Sequence, residues 1–162
     1  MMPTVFESPE FHKFRGYLNA IRDFSLSGNH EADFDVFSYD LSGSDLSPIE
    51  MLKVAYPEEQ SESKKLVECS AHNMIDDVNQ ALIRSTWSFG DQSVSWDSTD
   101  YIIRYNLVGF WGHVKALIDY EGARIFKYDG EFKYTYVWWW FTYVIHDESR
   151  QRCVVFHGGS SD

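Results

Sequence analysis

The stretch TYVWWWFTYV, residues 135–144, contains three of the six tryptophans of this 162-residue chain. Side chains alternate between the two faces of a β-strand. Trp138, Trp140 and Thr142 therefore share one face, while Trp139 and Phe141 share the other. Because both faces are apolar, the segment is predicted to be a central strand that is covered on both sides. One face is expected to pack on helices, and the other to line the inside of a curved sheet or to meet a partner.

Segments before and after this strand have a similar composition. Aromatic and β-branched residues predict strands at residues 101–109, 113–120, 124–128, 132–145 and 152–157. The glycines on either side of the Phe110–Trp111 pair predict a bend or bulge between the first two of these strands. This part of the chain is therefore expected to form an antiparallel meander of about five strands.

Helices are predicted mainly before this meander. The sequence ESPEF at residues 7–11 fits a helix start, and apolar residues then recur at spacings of three and four. The sequence SPIE at residues 47–50 fits a capping box, and Pro57 ends the second helix. A long third helix is expected over residues 63–85, and a strand-like segment with alternating Asp and apolar residues lies at residues 32–45.

This order of elements predicts an α+β fold in which N-terminal helices pack on a strongly curved, mainly antiparallel C-terminal sheet. The length suits a single domain over residues 1–162. Within it, residues 1–92 are expected to form a mostly helical, acidic half, and residues 93–162 an antiparallel sheet half.

Charge is distributed unevenly along the chain. The net charge is −11, and residues 1–100 carry 18 acidic side chains against seven basic ones, whereas residues 101–162 carry seven of each. Such a field repels nucleic-acid phosphates and attracts basic partners, although it also serves solubility. The carboxylates expected to face a partner lie in the strand and loops between the predicted helices: Asp33, Asp35, Asp40, Asp45, Glu58, Glu59 and Glu62.

Several features narrow the class of protein. No stretch of about 18 apolar residues occurs, and the N-terminal sequence lacks the pattern of a signal peptide. No membrane association and a cytoplasmic location are therefore expected. Cys69 and Cys153 stand in no metal or redox spacing, so they are expected to be free thiols. No cofactor motif is present, and no cofactor is expected.

Candidate catalytic and metal-binding residues are few. Glu68, His72 and Asp76 lie four residues apart on the predicted long helix, but without a further ligand they are interpreted as a solvated face and not as a metal site. A histidine of the sheet near Asp119 or Tyr105 would be a candidate general base. No nucleophile motif or phosphate-binding loop occurs, so the sequence does not favour an enzyme.

The sequence YVWWWFTYVIHDESRQRCVVFHGGSS, residues 136–161, resembles the last hairpin of NTF2-like cone folds. In that family a long aromatic strand is followed by a short turn and by a strand that ends near a histidine and small residues. The resemblance extends over about the last 60 residues and implies a pocket inside a curved sheet. The candidate lining residues are Tyr105, His113, Asp119, Trp138, Trp140 and His157.

Two functions from different classes follow. The favoured one is a small acidic binding or inhibitor protein, similar in general terms to immunity proteins and phage inhibitors. It would block a basic partner, such as a nuclease toxin or a nucleic-acid-handling enzyme, without binding nucleic acid directly. The alternative is an NTF2-like pocket protein that binds a small molecule or acts as a cofactor-free lyase or isomerase. An acidic surface patch would favour the first function, and a closed cavity with convergent polar groups would favour the second.

Overall fold

The computed structural model describes residues 2–25, 31–59, 65–87, 96–130, 132 and 139–161. Four helices and six strands lie within these ranges. In chain order they are β1 (Thr4–Val5), α1 (Pro9–Ser25), β2 (Glu31–Asp40), α2 (Pro48–Ala55), β3 (Leu66–Cys69), α3 (Ala71–Trp87), α4 (Trp96–Leu117), β4 (Arg124–Tyr128), β5 (Trp139–Asp147) and β6 (Arg152–Ser161).

The six strands form one open, antiparallel sheet in the order β1-β2-β6-β5-β4-β3. Strands β4, β5 and β6 correspond to the last three strands of the predicted five-stranded meander, and β5 contains the described part of the tryptophan-rich stretch. The long β2 extends the sheet beyond β6. The predicted α+β fold, with helices packed on a curved antiparallel sheet, is confirmed.

Both faces of the sheet are covered, as the apolar alternation of the central strand predicts. Phe141, Tyr143 and Ile145 pack with α1, α3 and α4 in one cluster. Val144, on the opposite face of the same strand, packs with α2 in a second cluster that contains the fully buried Met51. The sheet is therefore a partition between a large core under three helices and a smaller core under α2.

The first two helices begin as their sequences predict. The Phe11 backbone N–H donates to Ser8 Oγ at 3.2 Å, which satisfies one free donor at the start of α1. At the start of α2 the Ser47 backbone N–H donates to Glu50 Oε2 at 2.8 Å. Helix α2 ends at Ala55, two residues before Pro57.

The strands predicted at residues 101–109 and 113–120 are wrong, because α4 occupies residues 96–117. Aromatic and β-branched residues favoured a strand locally, but the burial pattern has a helical period. Tyr105 and Val108 are exposed, at 71% and 76% of their area. The buried residues recur at spacings of one, three and four: Leu107, Phe110, Trp111, Val114, Leu117 and Ile118. The predicted bend at Phe110–Trp111 also lies inside this helix.

The start of the predicted long helix is a second correction, because residues 66–69 form β3. This strand pairs with the edge of β4, where Cys69 lies opposite Ile125. Arg124 donates two hydrogen bonds to the Glu68 carboxylate across the pair, at 3.1 and 2.9 Å. Helix α3 then begins after Ser70, whose Oγ accepts from the Asn73 N–H at 3.1 Å.

Helices and strands are interleaved along the chain, since β2 and β3 lie within residues 1–92 and α4 lies within residues 93–162. None of the helices in the described ranges is both long and apolar enough to cross a membrane. Cys153 is buried and Cys69 is half-buried, and neither forms a disulfide.

Candidate functional site

One row of side chains crosses the three central strands on the α2 side of the sheet. The pairing of β2 with β6 sets Asp35 opposite His157, and the pairing of β5 with β6 sets Thr142 opposite the same histidine. Thr142 Oγ1 lies 2.7 Å from His157 Nδ1 in the buried part of this row. The strand register alone therefore brings a carboxylate, an imidazole and a hydroxyl together.

Gly158 allows close packing on the face of the sheet opposite this row. Its neighbours Phe34 and Phe141 lie on either side in β2 and β5, on the face that packs against α1, α3 and α4. A Cβ at position 158 would lie 2.7 Å from the ring of each phenylalanine. The missing side chain thus gives both rings room beneath His157.

Two aromatic rings from outside the sheet cover His157. Tyr56 follows the end of α2, and Phe132 lies four residues after the end of β4. The centroid of the Phe132 ring is 4.9 Å from that of Tyr56 and 5.2 Å from that of His157. The Tyr56 and His157 rings meet nearly edge to face at 5.9 Å, and the Tyr56 hydroxyl donates to Asp35 Oδ2 at 3.4 Å.

These residues line a depression with a volume of about 340 Å³, which is within the usual range of ligand pockets. We name it the acidic–aromatic pocket. Three carboxylates surround the aromatic rings, and the described lining contains neither Lys nor Arg. Its lining residues are Asp35, Ala55, Tyr56, Pro57, Glu58, Glu59, Phe132 and His157.

Burial shifts the pKa values of two ionisable groups of the pocket, His157 and Asp35, in opposite directions. Burial of the imidazole lowers the pKa of His157 to about 4, so the ring is neutral at physiological pH. Although part of Asp35 is exposed, burial and the nearby Asp33 carboxylate raise its pKa above the usual range. A carboxylate in such surroundings gains from a positive charge placed beside it.

The seven carboxylates predicted to face a partner do not form one continuous patch. Asp35, Glu58 and Glu59 meet at the acidic–aromatic pocket, and the exposed Asp33 lies two residues from Asp35 along β2. Asp40 instead accepts the Ser42 backbone N–H at 2.7 Å, which stabilises a turn. Asp45 borders a separate depression together with Arg124 and His146. Glu62 lies outside the described residues.

The predicted pocket residues are also divided between sites. Of those that the structure describes, His157 alone lines the acidic–aromatic pocket. Tyr105 and His113 belong to α4 on the opposite side of the sheet, where His113 packs on the ring of Tyr17. Asp119 follows α4, and its backbone N–H donates to Asp147. Trp140 is partly exposed on β5. Trp138 lies outside the described residues.

The three residues considered as metal ligands are separated between two elements. Glu68 belongs to β3 and pairs with Arg124, while His72 and Asp76 form an exposed pair on α3 at 3.1 Å. Within the described ranges, no group of three or more His, Cys, Asp or Glu is arranged to hold a metal ion.

Tyr56 and Phe132 are the pocket residues that sequence reasoning missed. Both lie in loops, where no periodicity marks a side chain as facing a site. The one local signal concerns Tyr56, which immediately precedes Pro57, Glu58 and Glu59 in the sequence. An aromatic residue beside a helix-ending proline and two carboxylates does not by itself identify a binding element, and the tertiary contact with His157 is what does.

Comparison with known proteins gives a fold and no family. No family profile and no curated protein matches the sequence. Solved structures similar to this chain include citrus MAF1 in two crystal forms. Both have a TM-score of 0.60 over 90% of this chain, with 13% identity over 99% of the MAF1 chain in one and 12% identity over 97% in the other. At this identity the likeness shows that the chain shares the MAF1 fold, and it shows nothing further.

Proposed function

We propose that this protein is an inhibitor-like binding protein whose acidic surface, centred on the acidic–aromatic pocket, docks on a basic protein partner. The observation that carries the proposal is the meeting of Asp35, Glu58 and Glu59 around the half-buried rings of Tyr56 and Phe132, with Asp33 beside them. Carboxylates and aromatic rings together are well suited to bind Lys and Arg side chains. The carboxylates attract their charge, and the faces of the rings interact favourably with the cationic group.

The preferred partner is an enzyme that handles nucleic acid. Such enzymes hold phosphates with Lys and Arg, and a surface of fixed carboxylates competes for the same side chains. The net charge of −11 adds long-range attraction toward a basic surface. The same charge opposes direct binding to nucleic acid.

The alternative of a proton-transferring pocket enzyme is less well supported by the chemistry of the site. With a pKa of about 4, His157 is a weak base at neutral pH. It is only 5% exposed, and its Nδ1 already lies against Thr142 Oγ1. Binding therefore fits the pocket better than general-base chemistry does.

The likeness to citrus MAF1 concerns the fold alone. The proposal therefore depends on the surface chemistry of this chain.

Partner capture with charge-reversed variants tests the proposal. The Glu58→Lys/Glu59→Lys variant reverses two pocket charges, while a control, Glu10→Lys/Asp76→Lys, makes the same charge change on α1 and α3 across the sheet. Immobilised wild-type protein and the control should retain the same basic protein from a lysate of the source cells at low salt. The pocket variant should lose it.

Association kinetics with the captured protein then measure the charge effect. Electrostatic steering should make association fall steeply with salt, and the pocket variant should associate at least about tenfold more slowly than the control. Equal association rates for the two variants, or capture that is independent of salt, would contradict the proposal.

A further inference from the structure

We propose that the acidic–aromatic pocket receives the cationic head of one Lys or Arg side chain, with the rings of Tyr56, Phe132 and His157 beside the cation and Asp35 as its counter-charge. The inference rests on the proposed function for the source of that side chain. It adds a defined point of insertion to what is otherwise an interaction between two charged surfaces.

The rings are close enough together to act on one cation. Their centroids are separated by 4.9, 5.2 and 5.9 Å, and all three residues line the depression. A cation within about 6 Å of an aromatic centroid is attracted by the negative face of the ring. The attraction is strongest where water is excluded, and His157 is only 5% exposed.

The carboxylates supply the charge that the rings lack. Asp35 is held at the pocket by the Tyr56 hydroxyl at 3.4 Å, and Glu58 and Glu59 stand at the rim. An anion would be repelled by these groups. A neutral apolar group would cover the carboxylates without compensating their lost hydration, which is unfavourable. A cationic head avoids both costs.

The remaining walls suit the aliphatic stem of a basic side chain. Ala55 and Pro57 present apolar atoms next to the rim, and the methylene groups of Lys and Arg pack well on such surface while the head stays polar. The depression of about 340 Å³ accommodates one such side chain and not a folded segment. Neutral His157 adds no positive charge that would oppose the cation.

Small probes test the pocket without the partner. N-acetyl-lysine methylamide and N-acetyl-arginine methylamide carry the two cationic heads, and N-acetyl-norleucine methylamide carries a neutral side chain. Each is titrated at pH 7 and low salt into isotope-labelled wild-type protein, with chemical shifts followed by NMR. We expect a cationic probe to shift the signals of residues 55–59, 132 and 157, with a dissociation constant of about 1–10 mM. The norleucine probe should shift none of them.

Substitutions connect the shifts to the pocket. Tyr56→Leu removes one ring, and Asp35→Asn removes the counter-charge with little change in shape. Each should weaken probe binding at least threefold, whereas the control Asp45→Asn, in the separate depression, should leave it unchanged. If Tyr56→Leu disturbs folding, Asp35→Asn still tests the proposal.

The outcomes separate this inference from the proposed function. Equal shifts with the norleucine probe, or no shifts at the pocket with either cation, would overturn the pocket while leaving surface docking intact. Shifts at the pocket with a cationic probe would support this inference whatever the capture experiment shows. Retention of the captured protein by Glu58→Lys/Glu59→Lys would instead contradict the proposed partner surface. Lysine and arginine probes that differ in affinity identify which head the pocket prefers.

Discussion

At the residue scale, His157 shows how a single buried group couples the candidate site to pH. Its pKa falls from 6.5 to about 4 because burial disfavours the charged imidazolium. Between these values the unfolded chain binds a proton that the folded chain excludes. Stability from this residue is therefore complete above pH 6.5 and is lost as the pH falls toward 4.

This sign leads to a measurable expectation. The pKa difference corresponds to roughly 3 kcal/mol of unfolding free energy lost from His157 across that window. His157→Gln should be less stable at pH 7 but should lose less of its own stability between pH 6.5 and 4. Urea unfolding at four pH values measures both slopes.

The exposed His72 supplies the control for this experiment. His72→Gln should keep the two slopes of the wild-type protein, because this side chain is exposed on α3. Identical slopes for wild type and His157→Gln would show that the imidazole titrates as readily in the folded chain as in the unfolded one.

At the element scale, α4 is where sequence reasoning failed most clearly. Its tyrosines, isoleucines and valines favour strands locally, but the strand propensity of these residues depends on the surface against which they pack. Trp111 Nε1 donates to Asn79 Oδ1 at 2.7 Å, which ties α4 to α3. Packing against α1 and α3 thus outweighed local propensity, and the helical spacing of the buried residues was the better signal.

The contact between α1 and α4 depends on the absence of a side chain at Gly109. A Cβ there would lie 2.8 Å from Tyr17 Oη, whereas a Cβ at Gly112, one turn later, would meet nothing within 4 Å. Gly112→Ala should therefore stabilise the protein by up to about 1 kcal/mol, through helix propensity alone. Gly109→Ala should be at least about 0.5 kcal/mol less stable than Gly112→Ala, because the Tyr17 ring must move.

Chemical denaturation of the two glycine variants measures this difference. In a Tyr17→Phe background the hydroxyl is gone, and the gap between the two substitutions should narrow. A gap that is zero in the wild-type background would mean that α1 and α4 do not approach each other at these residues.

At the scale of the whole molecule, one sheet separates two cores that share its strands. Phe110 of α4 is fully buried on the face that packs against α1, α3 and α4, and Met51 of α2 is fully buried on the opposite face. Because β5 and β6 contribute to both clusters, loss of packing on one face should weaken the other. Cooperative unfolding of the two cores would therefore test the prediction, made from chain length, that the protein is a single domain.

We expect Phe110→Ala to cost about 3–5 kcal/mol and Met51→Ala about 2–5 kcal/mol, through lost burial and the cavity left behind. Each should lower the midpoint of a single thermal transition in which calorimetric and van't Hoff enthalpies agree. The exposed Val108→Ala should change stability by less than about 0.5 kcal/mol. Two transitions, of which only one shifts in each variant, would show that the cores unfold separately.

The sequence by itself determined the α+β class, the starts of α1 and α2, and the two-sided burial of the central strand. These features depend on neighbours in the chain, because capping needs residues three apart and strand faces need only alternation. The bounds of β4 and the start of β6 followed for the same reason, since each is a short run of strand-forming residues next to a turn.

Only the tertiary structure decided where the carboxylates and rings meet. Asp35 lies on β2, which is remote in sequence from the β5–β6 hairpin that carries Thr142 and His157. The row of these three residues depends on the strand register, and a shift of one residue would turn a strand's side chains to the opposite face. Tyr56 and Phe132 reach the row from loops that carry no periodicity. The charge distribution along the chain predicted an acidic half, but only the tertiary structure brings Asp35 of β2 together with Glu58 and Glu59, which follow α2, around one aromatic pocket.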